Sequence, residues 1–471
     1  MVSEALPRSS PSRQGVSADR VGEFLDRVES LSLDLHSLMV VKNGYVVAEG
    51  WWPPYRSEVP QLTYSLSKSV TSTAIGIAQS EGLLSIDDSV VSFFGEKAKK
   101  SHSTYLSQLK VRHLLAMSSG HLHDTWPEIS AGDSDFVTHF LAIEPDRAPG
   151  TTFCYNQGCT YTLSALISRL TGSTLWEYLR PRLFDPLGVT NLEWLTSREG
   201  ITLGFTGLHL ETESIAKFGL VQLHLGEWQG RQVVPADYLA QAHEKQVANV
   251  GSSREPDWQQ GYGFQFWVCR HGAYRADGAM GQLCVVIPEH DAVVVCTAGT
   301  PEGEMQSELD AIWDCLLPGL SVPSEPDALA DKRLAQRLDH LASPSLETDP
   351  NVGPSNVVFT RSSAGAPLTE HITRLRVHRS GSQSSLSIRA FGREHSFQLI
   401  DGDWCPGTLP GLHTPFVDVS VRGGWASFDR YVLDVVWPAS PHRLELRGVL
   451  GTTPTFEATW ATPPLRGLDS Y

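Results

Sequence analysis

YSLSKSVTSTAIGIA, residues 64–78, sets a serine and a lysine three apart at the start of a predicted helix. Val70, Ala74, Ile75 and Ile77 supply the apolar positions behind them at roughly helical spacing. Residues three apart share a helix face, so the Lys68 amine can lie beside the Ser65 hydroxyl. A hydroxyl is a weak nucleophile until a neighbouring base takes its proton. The free N–H groups and positive dipole end of a helix N-terminus favour negative charge developing there. The same spacing recurs at Ser214-Ile215-Ala216-Lys217 and is read as ordinary helix. Separating the two copies takes the rest of the chain.

Upstream, residues 18–33 have helical apolar spacing, and Leu38–Val41 and Tyr45–Ala48 flank Asn43-Gly44, a strong hairpin signal. Downstream, Asp87-Asp88 is read as a turn without metal, and His121-Leu122-His123-Asp124 as a polar loop near the site rather than a zinc motif. Tyr155, Asn156 and Gln157 precede an amphipathic helix over 160–171, where side chains can project into a cleft. A half-buried core tyrosine is the competing reading of Tyr155. Residues 262–270 alternate as a strand, and the continuous apolar runs Cys284–Ile287 and Val293–Cys296 predict sheet strands covered on both faces. A helix is expected over 303–316.

The Pro/Ser-rich stretch 318–326 marks a domain boundary. Beyond a helical 327–342 the texture turns to period two, which predicts an all-β barrel or sandwich. The expected organisation is a disordered segment 1–17, a catalytic domain 18–318, a linker 319–328, and a C-terminal helix plus β domain 329–471. That last domain either forms a wall of the cleft or simply packs beside it.

Composition narrows the function. The chain has 471 residues, 41% hydrophobic and 19% charged, as expected of a folded protein able to bury a sizeable core. A net charge of −16 argues against binding nucleic acid or anionic membrane. The N-terminal residues show no apolar leader, no stretch reaches the length of a membrane span, and the seven cysteines lack CxxC spacing. Together these point to a cytoplasmic protein with inert thiols.

The ordered series YSLSK, HLLAMSSG, PGTTFCYNQG, FGLVQLHLGEW and GAMGQLCVVIPE resembles the serine β-lactamase and penicillin-recognising superfamily over residues 18–318. The likeness is to its class C-like branch, which includes esterases and 6-aminohexanoate-dimer hydrolases, and within it to hydrolases with an added C-terminal β domain. It implies an α/β (α+β) β-lactamase-like fold, with an antiparallel sheet flanked by helices plus a helical subdomain. It also implies an acyl-enzyme on Ser65, Lys68 assisting deprotonation, and Tyr155 sharing protons with both. A phenol beside an ammonium is expected to have a lowered pKa. The backbone N–H groups of Ser65 and Ala279 would form the oxyanion hole. Asn156, Gln157, Arg275, Gly278 and Gln282 would position substrate. Gln157 stands where Asn or Ser is common, and Arg275-Ala276-Asp277-Gly278 replaces the usual Lys-Thr-Gly. Arg275 is read either as the replacement cation or as a strand arginine facing solvent.

The expected activity is hydrolysis of an ester or amide in a small-molecule or short-peptide substrate, with no cofactor and no metal. The alternatives are a β-lactamase or D-peptidase, a peptide-cyclising thioesterase, and a non-catalytic binding protein on a hydrolase scaffold. No GxSxG elbow occurs, which argues against an α/β-hydrolase.

Overall fold

A computed structural model of the chain describes residues 5–98, 104–132, 135–301, 303–321, 326–362, 366–367, 369–380, 383–400, 402–411 and 416–465. Its centre is a six-stranded antiparallel sheet in the order Tyr45–Trp51, Leu35–Lys42, Ala292–Ala298, Gln282–Ile287, Tyr274–Gly278 and Trp267–Val268. The first hairpin turns at Asn43 (φ 52°) and Gly44 (φ 76°), the left-handed pair that a tight hairpin turn requires. Strands 282–287 and 292–298 are buried at every position because successive side chains enter different cores. Met39, Val41, Cys284, Val286, Val293 and Val295 join the core that holds the Leu66–Ser80 helix. Leu38, Val40, Val285, Ile287, Val294 and Cys296 join the core under helix Ala18–Ser30. The second Ser-x-x-Lys copy lies in helix Thr212–Leu223, where Lys217 pairs with Glu213 at 3.8 Å.

The C-terminal region forms a nine-stranded, nearly closed barrel-like sheet. Its order is Arg393–Leu399, Gln383–Ala390, Ile372–Ser380, Asn356–Arg361, Thr455–Trp460, Arg443–Val449, Arg430–Val436, Asp418–Trp425 and Cys405–Thr408. All pairings are antiparallel except that of Asn356–Arg361 with Thr455–Trp460. The period-two apolar residues (Leu386, Ile388, Phe397, Val419, Val421, Leu433, Val435, Leu444 and Leu446) fill its interior.

Three expectations are corrected. Residues 262–270 are not a strand; only Trp267–Val268 pairs in the sheet. Gln265 is left-handed (φ 64°) and buried, with its amide held by the carbonyls of Leu114 and Leu115. The alternation there comes from aromatic side chains plugging a core. The segment 1–17 was expected to be disordered, yet residues 5–17 are ordered: Leu6 is buried, Arg8 bridges to Val46 and pairs with Glu49 and Glu213, and Pro11–Gln14 forms a 3-10 turn. Residues 1–4 lie outside the described residues. Helix Ala328–Leu338, expected with the β domain, contributes Ala330 and Leu334 to the core under the Ala18–Ser30 helix. The expected linker is described only at 319–321 and 326–328. Among the described residues no helix is long and apolar enough to cross a membrane.

Candidate active site

Ser65 sits immediately before helix Leu66–Ser80 and makes no capping bond with its side chain, leaving the hydroxyl at the cleft. One turn on, Lys68 is 1% exposed. Its Nζ donates to Ser65 Oγ at 2.9 Å and to the Phe205 carbonyl at 3.0 Å, and lies 4.7 Å from the centre of the Tyr155 ring. Burial pushes the Lys68 amine down to about 7, against the pull of Asp124 and Asp277. A lysine in this state can take the proton of the hydroxyl it touches.

Tyr155 is half-buried in the cleft wall, its ring stacked on Trp267 with centroids 5.5 Å apart. Burial pushes its phenol up, with Asp277 adding to the rise and a hydrogen bond to Ser65 opposing it. The expectation of a lowered phenol pKa is therefore overturned. Desolvation outweighs any help from the amine, so Tyr155 stays protonated, as a proton donor requires.

The other predicted residues divide. Gln157 lines the cleft, together with Gly278 and Ala279 at the end of strand Tyr274–Gly278. A Cβ on Gly278 would stand 2.1 Å from the Thr63 carbonyl oxygen and 3.0 Å from the Ser65 nitrogen, so only glycine lets this strand end close on the serine. Asn156, expected to position substrate, is fully buried. Its Oδ1 accepts from Gly158 N, Thr125 N and Thr125 Oγ1 and so caps helix Gln157–Thr171. Gln282 is likewise buried, and its amide donates to the carbonyls of Ala279, Met280 and Ala298, bracing the turn beside Ser65 rather than facing the cleft.

Arg275 departs furthest from both of its readings. It is 0% exposed and is not part of the cleft wall. Its Nε donates to Asp277 Oδ2 at 2.8 Å, and its guanidinium lies 4.4 Å from the Trp258 ring centre and 5.4 Å from that of Trp267. A buried carboxylate beside it draws the arginine inward and uses its charge.

The cleft has a volume of about 490 Å³. Four aromatic residues (Phe153, Tyr155, Trp258 and Trp267) and two acids (Glu255 and Asp277) contribute to its wall, as does Leu465 from the β domain. Burial pushes the Asp277 carboxyl up while Arg275 pulls it down, and the net is upward. Asp277 went unassigned in the sequence, although an aspartate inside a strand is a depleted residue type and hence a usable signal. The loop at 121–124 does reach the site: Asp124 Oδ1 accepts from Gln157 N at 2.8 Å. Leu465 carries no local signal at all.

A family model described as Beta-lactamase matches residues 28–315. The 6-aminohexanoate-dimer hydrolase of Paenarthrobacter ureafaciens is 22% identical over 324 residues, covering 63% of this chain and 80% of that protein. Among solved structures, EstCE1, described as a hydrolase with promiscuous acyltransferase activity, aligns with a TM-score of 0.53 at 16% identity over 63% of this chain and 98% of its own. The octameric penicillin-binding protein homologue from Pyrococcus abyssi aligns over 93% of this chain and 99% of its own, with a TM-score of 0.50 at 16% identity.

Proposed function

The chain belongs to the beta-lactamase family and is a hydrolase of it; on that premise we propose that it cleaves an ester or amide bond of a small substrate through an acyl-enzyme on Ser65. The observation that carries this reading is the Lys68 amine, 2.9 Å from Ser65 Oγ and pushed down to about 7. Neutral Lys68 takes the hydroxyl proton as Oγ bonds to the substrate carbonyl carbon. The carbonyl oxygen becomes an oxyanion facing the N–H groups of Ser65 and Ala279. One such donor is worth about 2.7–4 kcal/mol in the transition state. As the tetrahedral intermediate collapses, the protonated Tyr155 gives its proton to the leaving alcohol or amine and recovers one from the Lys68 ammonium. Water then attacks the ester on Ser65 and releases the acid.

The wall chemistry supports an ester or amide without a carboxylate beside the scissile bond. Glu255 and Asp277 face the cleft, and no Lys or Arg is among its described lining residues. A penicillin or a D-peptide presents a carboxylate, for which these lining residues supply no cationic partner. The aromatic residues favour an apolar acyl or leaving group. The seven cysteines are all free, which supports a reducing compartment such as the cytoplasm.

The test is labelling by a fluorophosphonate together with turnover of p-nitrophenyl acetate and nitrocefin. Wild type is expected to be labelled at Ser65 and to turn over the ester well above nitrocefin, while folded Ser65→Ala is neither labelled nor active. Undiminished labelling of Ser65→Ala refutes the nucleophile, and a preference for nitrocefin refutes the substrate class.

A further inference from the structure

Tyr64, the residue before the nucleophile, has a left-handed backbone (φ 47°), unusual for a bulky side chain. Its ring is 6% exposed and packs with Leu62 and Met280, with Ala279 against the same cluster. The ring therefore sits between the two segments that supply the oxyanion N–H groups. Its hydroxyl meets Nε2 of His442, a residue of the β domain 378 positions away, at 2.6 Å. The two rings stand edge to face with centroids 5.8 Å apart.

His442 is fully buried, and its Nδ1 lies 3.0 Å from the Thr462 carbonyl oxygen. A carbonyl can only accept, so Nδ1 carries the proton and Nε2 accepts from the Tyr64 hydroxyl. The path continues into the catalytic domain: Thr462 Oγ1 donates to the Gly299 carbonyl at 2.9 Å, and Thr300 N donates to the Met280 carbonyl at 3.2 Å. Beside it, Leu62 N donates to the Ala439 carbonyl at 2.9 Å. Ser65 and the turn at Ala279-Met280 are thus joined by a hydrogen-bonded path through the β domain as well as by direct packing.

We propose that His442 is a positioning residue for the hydrolytic site, holding the Tyr64 phenol so that the backbone N–H groups of Ser65 and Ala279 keep the spacing an oxyanion needs. This rests on the acyl-enzyme reading of Ser65. The β domain is then part of the catalytic unit rather than an appendage. A backbone donor cannot be adjusted by a side chain of its own, so its aim depends on what holds the neighbouring residues, and a shift of about 1 Å can cost on the order of 100-fold in rate.

The experiment compares full-length Tyr64→Phe, His442→Ala, His442→Gln and the Tyr64→Phe/His442→Ala double variant. The readouts are kcat and KM for p-nitrophenyl acetate, the fluorophosphonate labelling rate, and thermal melting. Tyr64→Phe and His442→Ala are each expected to lower kcat and the labelling rate 10- to 100-fold with KM changed less than twofold. His442→Gln, whose amide oxygen can accept from the phenol, is expected to restore at least a third of the activity. The double variant is expected to be no slower than the slower single variant, as for two ends of one interaction. Tyr64→Phe removes one oxygen and leaves the ring packing, so it decides the matter if His442→Ala does not fold. The proposal is overturned if folded Tyr64→Phe labels at the wild-type rate, or if the two single effects multiply. Failure of wild type to label at Ser65 would instead overturn the acyl-enzyme reading.

Discussion

The rate of acylation should follow the neutral fraction of Lys68, and pH is the perturbation that reads it. With the amine at about 7, the neutral fraction rises from about 9% at pH 6 to about 90% at pH 8. The labelling rate should therefore rise about tenfold over that interval and change by only about a tenth between pH 8 and 10. An ordinary lysine near 10.4 would give a rise of about 100-fold between pH 6 and 8 and a continued climb beyond it. The assay is the pseudo-first-order rate of labelling by a fluorophosphonate without a titrating group, from pH 5.5 to 10. Lys68→Met should remove the limb and lower the plateau by about 10²–10⁴-fold, the usual worth of a positioned base. Asp124→Asn gives a second check, because its Oδ1 can still accept from Trp126 N and Gln157 N while its charge is gone. Since Asp124 pulls the amine up, its limb should move below that of wild type. A log-linear rise through pH 9 in wild type, or an Asp124→Asn limb above it, would refute the assignment of Lys68 as base.

Two further outcomes test the frame around the site. Burial pushes the Glu308 carboxyl up to about 8, with Thr300 opposing the rise and Asp34 adding to it. The unfolded chain sheds this proton near the ordinary value and the folded chain only near 8, so wild-type stability should fall across that window by about 1.4 kcal/mol per pH unit. Glu308→Gln does not titrate, so its stability advantage should widen from pH 5 to pH 8 in paired urea titrations; parallel curves would contradict this. Gly278→Ala forces a methyl to within 2.1 Å of the Thr63 carbonyl oxygen and should cost about 10²–10³-fold in labelling rate with circular dichroism unchanged, and near-normal labelling would show the strand end is not needed at the serine.

What could be read from the sequence was what local spacing controls. Ser65 and Lys68 come together because one helical turn separates them, and the hairpin forms because Asn43-Gly44 accepts positive φ at both turn positions. The apolar runs at 284–287 and 293–296 predicted two covered faces because each strand must fill two cores. Where long-range burial decides, the reading failed. The period-two pattern at 262–270 fits a strand, yet the left-handed Gln265 breaks it to bond the carbonyls of Leu114 and Leu115, some 150 residues away. Asn156 was read as lying just before a helix over 160–171; the helix begins at Gln157, and nothing local says that the Asn156 Oδ1 is used by Thr125 and Gly158 to cap it. The bond between Tyr64 and His442 spans 378 positions and leaves no pattern in either segment.

Arg275 and Tyr155 failed for one shared physical reason, and it bears on how the site works. Arg275 was read as a substrate cation or a solvent-facing strand residue, and the Tyr155 phenol as tuned by the neighbouring ammonium, whereas desolvation decides what each charge can do. In the cleft wall the carboxylate of Asp277 would hold the Lys68 amine protonated, since opposite charges favour each other's ionised form. Arg275 opposes that by occupying the same carboxylate at 2.8 Å, with the rings of Trp258 and Trp267, which also contribute to the cleft wall, centred 4.4 and 5.4 Å from its guanidinium. The Arg275 guanidinium is thus turned inward and made a counter-ion to the site's own acid. That arrangement leaves the wall without a partner for a substrate carboxylate. Desolvation brings the Lys68 amine near neutral pH against the pull of Asp124 and Asp277, while Tyr155 keeps its proton. The buried Arg275–Asp277 pair thus leaves the described wall without a cation, and the burial of Lys68 itself makes its amine available as a base.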